Sequence, residues 1–346
     1  MFDKLKNNVN DQIETNGIVG KIGKAIAGTI GVILLIAGII GFIWDTEPNT
    51  FDIHAITQET TQHYGVKTVV GSTTVSTTMA LADKMLNKRG GYLTNDVIPP
   101  SIWMDNVPNW EYGVIVQVRD MTRTLRNNMS RSQSQSTEDP ALTTAENQFY
   151  FDTNSWAFPQ TESEYTQGNN ALGDYLQRLG DNDQQSAQFY ARADNLRVWL
   201  SEVETRLGSL SQRLSTSVGK RQLDVSLAGD TAARQSTGTV NDVEVKTPWS
   251  ELDDVFYEAR GTTWALLHLL RAVETDFADV LEKKNALVSL QQIIRELEPT
   301  QDLLWSPIIL NGSGFGIVAN HSLVMGAHIS RANAAIIDLR RLLQDG

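Results

Sequence analysis

Apolar residues are distributed in two different ways along this chain. Residues 25 to 44, AIAGTIGVILLIAGIIGFIW, form a run of twenty without a charge. At about 1.5 Å per residue, a helix of that length is about 30 Å long, enough to cross the hydrocarbon core of a bilayer. Beyond the run, apolar residues recur at steps of three and four, the spacing of helices that bury one face. Strand-like segments are scarce: VKTVVG at 66 to 71 and SPIILNG at 306 to 312 are short and isolated. The pattern predicts an all-α protein, with one N-terminal transmembrane helix followed by a bundle of long helices with heptad seams.

Six segments follow from this pattern. They are an N-terminal stretch (1–24), the transmembrane helix (25–44), a connector (45–71), a first helical region (72–218), a loop or linker (219–248) and a second helical region (249–346) packing with the first. In the connector, Pro48, Gly65 and Gly71 interrupt mixed polar sequence. Val75, Met79, Ala82 and Leu86 place a helix over 73–88, ended by Arg89-Gly90-Gly91. A loop containing Pro99, Pro100 and Pro108 follows, then a helix carrying Val114, Val118, Met121, Leu125 and Met129. SRSQSQSTEDP, 130–140, reads as a loop or helix end, and Thr161 with Glu164 as a capping box for a helix running to Gly180.

The most regular seam is Ala193, Leu196, Leu200, Val203, Leu207, Leu210 and Leu214, the a and d positions of a heptad helix. Residues 219–248 lose all periodicity and read as a mobile linker or protruding loop. A second long helix is predicted from Leu266 through Leu270, Val273, Phe277, Val280, Leu287, Leu290 and Ile294 to Leu297, with Lys284 interrupting its seam and Pro299 ending it. Ile329, Ala332, Ile336, Leu339 and Leu343 give a last helix.

Charge gives the apolar run a direction. Lys4, Lys6, Lys21 and Lys24 precede it, whereas Asp45, Glu47 and Asp52 follow and the next Lys or Arg is Lys67. By the positive-inside rule the N-terminus is expected in the cytoplasm and the bulk of the chain in the periplasm, at the inner membrane. A cleaved signal peptide is the competing reading. The run is long for a signal core, however, and WDTEPNTFD lacks a small-residue cleavage pattern, so a retained anchor is expected. Phe2, Leu5, Val9 and Ile13 share one face of a short helix that suits the inner leaflet's interface. No cytoplasmic domain is expected within the twenty-four residues before the run. Within the span, Ala27, Gly31, Gly38 and Gly41 share a stripe of small residues that lets a second helix approach.

The chain has no cysteine, which removes disulfides, thiol nucleophiles and cysteine metal sites. Its net charge of −12 argues against nucleic acid, which needs a basic surface. The histidines, at 54, 63, 268, 321 and 328, show no HExxH, HxH or His-x3-His spacing, so no metal is expected. NGSGFG at 311–316 has neither the Lys-Ser/Thr of a P-loop nor GxGxxG spacing and reads as a flexible turn. No GxSxG elbow is present. Two aromatic-rich segments stand out, one with Trp103, Trp110 and Tyr112, the other with Phe149, Tyr150, Phe151, Trp156 and Phe158. They are expected to cap the core of the bundle, the alternative being a groove for a peptide, a glycan strand or a partner helix.

RGGYLTNDVIPPSIWMDNVPNWEYG, RSQSQSTEDP, FDTNSWAFPQTESEY and FYARADNLRVWL together resemble the Gram-negative inner-membrane family catalogued as domain of unknown function 2333. The resemblance covers nearly everything after the anchor. It implies a single-pass envelope protein, contributes no catalytic residues, and hints that the 130–140 stretch is a defined element. The functional expectation is a membrane-anchored periplasmic scaffold or assembly protein of the cell envelope, without catalysis or cofactor. Its expected partners are the lipid bilayer, through residues 25–44, and another protein or a second copy of itself. The alternative is a periplasmic enzyme or binding protein that acts on an envelope polymer through an aromatic-lined cleft.

Overall fold

A computed structural model of the chain describes residues 2–131, 137–181, 187–223, 242–306 and 308–345. It divides into two compact units: residues 1–46 with 97–104, and residues 47–96 with 105–346. The first contains α1 (Phe2–Trp44), one unbroken helix. The short N-terminal helix expected along the inner leaflet is therefore not a separate element, since no break divides it from the apolar run. Gly23–Trp44 is long and apolar enough to cross a membrane, with mean hydropathy 2.6 and almost no surface buried.

The second unit is helical, and it begins where a connector was expected. Its helix α2 (Ile53–Tyr64) lies within 45–71. Asp52 caps the start by accepting the His54 and Ala55 N–H groups. Gly65, at φ 66°, closes the end in a Schellman turn, with Val66 N–H on Thr61 O and Gly65 N–H on Gln62 O. The buried face is Ile53, Thr57 and Thr61, two of the three polar, which is why apolar periodicity did not reveal it. Residues 66–71 form no strand.

Helix α3 (Ser72–Leu86) is buried on nearly every side despite six Ser and Thr in its first seven residues. Small hydroxylated side chains let neighbouring helices approach, and Thr78 returns its hydroxyl to the Thr74 carbonyl. The helix is capped from outside: Asp276 accepts both the N–H and the hydroxyl of Thr74, each at 2.7 Å. Next come α4 (Asn106–Thr124), continued by a π-turn over Leu125–Met129, then α5 (Pro140–Phe149) and α6 (Thr161–Leu179). Pro108, expected in a loop, lies in the first turn of α4, where a missing N–H costs nothing. The capping box is not formed. Thr161 is already helical, with Gln160 at the cap position, and its hydroxyl goes to the Asp152 and Ser155 carbonyls.

Helix α7 (Ala193–Ser215) buries its seam from Leu196 to Leu214 against α11 (His321–Asp345), which offers Ile329, Ala332, Ile336, Leu339 and Leu343. Each such Leu, fully buried, contributes about 1.5–3 kcal/mol. The stretch expected to be an open linker contains a two-stranded antiparallel ribbon, β1 (Lys220–Leu223) with β2 (Asp242–Val245), around residues outside the described set. Thr247 N–H on Thr216 O ties the base of this excursion.

The predicted second long helix is three: α8 (Leu252–Asp276), α9 (Ala278–Lys283) and α10 (Leu287–Leu297). Asn285, at φ 51°, takes the left-handed position of another Schellman turn, with Ala286 N–H on Leu281 O. Short polar Asn tolerates that conformation, so the helix ends there without glycine. Helices α4 and α8 cross closely because both carry glycine at the contact. A Cβ on Gly113 would fall 2.2 Å from Glu258 O, and one on Gly261 2.0 Å from Trp110 O.

Candidate functional site

A buried ion pair sits at the first of the stretches that carry the family resemblance, with Glu111 inside it and Lys88 immediately before it. Glu111, on α4, is fully buried and pairs with Lys88, itself almost wholly buried. Its carboxylate also accepts the Leu93 N–H at 2.9 Å, the Thr94 N–H at 2.9 Å and the Thr94 hydroxyl. Burial pushes the Glu111 carboxyl up, while the Lys88 ammonium and these hydrogen bonds pull it back. The pair thus holds the loop after α3 against α4. From the same loop, Tyr92 donates its hydroxyl to Thr153 O, and the Asn95 amide donates to Ser155 O and to Glu162. Arg119 fastens the second aromatic segment through the Phe149 and Phe151 carbonyls. The arrangement is a clasp. Glu111 is saturated with donors and sealed from solvent, which suits it to hold backbone rather than to transfer protons. Neither Lys88 nor Glu111 was marked by the sequence, because one charge within an aromatic stretch has no periodic signature.

The aromatic candidates differ in burial. Trp110 is fully buried on α4, its ring 5.0 Å from that of Trp264, and Phe149 is buried likewise. Trp103, Tyr112, Trp156 and Phe158 are exposed. Capping of the core therefore holds for Trp110 and Phe149 and fails for the others, which lie on loops or on the outer side of α4. Of the small-residue stripe, Ala27, Gly31 and Gly38 are exposed, and Gly31 and Gly38 have open space where a side chain would begin. Gly41 instead faces Pro100, 3.3 Å from where its Cβ would be. Of SRSQSQSTEDP, residues 132–136 lie outside the described residues; near its end, Asp139 caps α5 and pairs with Arg178.

The ionisable groups are largely committed to structure. His268 is buried, its Nδ1–H donating to Trp264 O at 2.7 Å and its Nε2 accepting the Phe51 N–H at 3.0 Å. Burial pulls its pKa down to about 4. His321 Nδ1 accepts the Leu310 N–H at 3.2 Å, and His328 lies against Arg331. Asp254 is pushed up to about 6 by burial and by neighbouring Asp105 and Asp253. Among the described residues no three His, Asp or Glu are grouped to hold a metal ion. A cleft of about 540 Å³ lies beside Phe51, His54, Arg271 and Glu274, and another of about 430 Å³ beside Tyr112, Arg206, Arg213 and Glu258. Arg206 and Arg213 are already paired with Asp120 and Glu258. Neither cleft is lined by Trp103, Trp156 or Phe158.

The sequence did not mark the apolar residues of the loop between α10 and α11 as exposed. Leu303, Trp305, Phe315 and Ile317 stand exposed there, the last two completely. Its NGSGFG portion is pinned at the base rather than loose. Asn320 donates to Asn311 Oδ1 and Gly312 O, and Gly312 N–H meets Ala319 O at 3.0 Å. A Cβ on Gly312 would collide with Val318 O at 1.9 Å, so the turn closes only with glycine at that position. The run of exposed apolar side chains was legible as composition, but their exposure was not.

Fold and site together define the class: an all-α protein with one N-terminal helix capable of spanning a membrane and a helical unit with its own apolar core. The chain belongs to the bacterial family described as an uncharacterized protein conserved in bacteria, domain of unknown function 2333, whose family model matches residues 18–346. Neither the curated proteins nor the solved structures contain a match.

Proposed function

We propose that this protein is a membrane-anchored helical scaffold or assembly protein of the bacterial envelope. Gly23–Trp44 is its anchor in the inner membrane, and residues 47–346 lie on the periplasmic side. The observation that carries the proposal is where exposed apolar surface occurs. The helices satisfy one another through a continuous core, whereas large apolar side chains left outside concentrate in the span and on loops. Contiguous exposed apolar surface of this kind marks contact with a membrane or another protein. The lysines before the span and the carboxylates after it support the orientation. Buried, hydrogen-bonded ionisable groups such as Glu111 and His268 support a role in binding rather than catalysis.

The partner side of the proposal falls on Phe315 and Ile317, because both are fully exposed on a turn pinned at its base, which lowers the cost of ordering it on binding. A photo-crosslinker at Phe315 in the full chain, activated in cells before gentle solubilisation, tests it. A discrete crosslinked protein or dimer is expected. Repeated recovery of an unlinked monomer would count decisively against the scaffold reading.

A further inference from the structure

We infer that the segment Val97–Met104 is a second membrane contact, an uncharged wedge lying in the outer edge of the same bilayer that Gly23–Trp44 crosses. The inference rests on reading Gly23–Trp44 as a span. The segment belongs to the same compact unit as α1. Pro100 Cβ lies 3.3 Å, and Met104 Sδ 4.0 Å, from where a Gly41 side chain would begin. Ala37, one turn earlier, is 9% exposed, whereas Leu34, Leu35, Ile36 and Ile39 around it are at least half exposed.

Gly41 precedes Trp44 by three residues, about 4.5 Å of helix rise, so whatever touches it lies level with the span's last turn. The segment is therefore at the boundary between hydrocarbon and headgroups. Its chemistry suits that depth. VIPPSIWM carries no charge, and Asp96 and Asp105 bracket it. Ile98 is 71% exposed, Ile102 and Trp103 58% each, and Val97 50%, a dense apolar surface for eight residues. Two of those residues are prolines, which leave no N–H to satisfy, and the 3₁₀ turn Ser101–Trp103 closes with Trp103 N–H on Pro100 O at 2.9 Å. Tryptophan favours this boundary, where its ring is buried and its N–H stays wet. Lipid is the occupant favoured because the patch continues the surface of the span itself.

The test uses full-length protein in vesicles of phosphatidylethanolamine and phosphatidylglycerol. Because the chain has no cysteine, Ile98→Cys, Ile102→Cys, Leu34→Cys and Val288→Cys each carry one environment-sensitive fluorophore. Lipid nitroxides placed high or low on the acyl chain and a water-soluble quencher then report depth. At 98 and 102 a blue shift with strongest quenching by the high nitroxide is expected, at 34 quenching by the low one, and at 288 by the aqueous quencher. Aqueous quenching at 98 and 102 with lipid quenching at 34 would overturn the wedge and leave the span standing. Shielding of 98 and 102 from every quencher would also overturn it, because protein rather than lipid would then cover the segment. Aqueous quenching at 34 would refute the span, and the wedge with it.

Discussion

His268 should make this protein sensitive to mild acid, and His268→Gln should remove that sensitivity. The neutral ring is fixed in one tautomer, with Nδ1–H given to Trp264 O and Nε2 accepting from Phe51 N–H. A second proton must go on Nε2, which then loses the Phe51 hydrogen bond and becomes a buried cation near Lys84 and Arg271. The folded pKa of about 4 lies below the ordinary 6.5, so the unfolded chain binds the extra proton first. Stability from this group is present above 6.5 and is lost as pH falls from about 6.5 to 4. A tenfold difference in proton affinity between the folded and unfolded chain is worth about 1.4 kcal/mol, so lowering the pH from 7 to 5 should cost about 2 kcal/mol through His268 alone. Several carboxylates titrate in the same window, so the informative quantity is a double difference. Urea unfolding of the full chain in detergent, at pH 7 and pH 5, should show the wild type losing about 2 kcal/mol relative to His268→Gln. Glutamine can still accept from Phe51 but does not titrate. Equal pH dependence in the two proteins would refute the buried-neutral assignment.

Three further substitutions follow from the packing. Asp254→Asn should stabilise the protein at pH 7, where the raised carboxyl is ionised against Asp105 and Asp253, and the gain should vanish by pH 4; thermal melts at both values check this. Glu111→Gln should cost about 3–5 kcal/mol by leaving the Lys88 ammonium buried without a counter-charge, and the double variant with Lys88→Met should recover much of it in urea unfolding. Gly261→Ala should force α4 and α8 apart at the Trp110 carbonyl and cost about 1–3 kcal/mol or more, read as a lowered Tm.

The parts of the fold legible in the sequence are those governed by one repeating variable. The uncharged run at 25–44 announces itself because all twenty residues lack charge, and the seam from Leu196 to Leu214 because every third or fourth residue is apolar. Where helices are held by other means, the signal disappears. Helix α2 buries Thr57 and Thr61, and α3 buries a hydroxyl-rich turn capped by Asp276 from α8, about two hundred residues away in sequence. The break at Asn285 is a single-residue backbone event inside an otherwise helical pattern. The site divides in the same way. Trp103 and Trp156 were visible as aromatic, yet which aromatics turn inward depends on helix boundaries, and placing Pro108 in a loop hid that Trp110 belongs to α4. The clasp of Lys88, Glu111 and Thr94 joins segments that no local spacing connects.

The central claim is that Gly23–Trp44 anchors a helical body outside the cytoplasm. Single-cysteine labelling tests it most directly, since the native chain has no cysteine to interfere. Val288→Cys, on the exposed face of α10, and Asn7→Cys, before the span, are each expressed in the full chain in a Gram-negative host and challenged in intact spheroplasts with a membrane-impermeant maleimide. The account predicts that position 288 reacts before lysis, that position 7 reacts only after it, and that both proteins stay with the membrane through alkaline extraction. Protection of position 288 until lysis, or release of the protein by alkali, would contradict it.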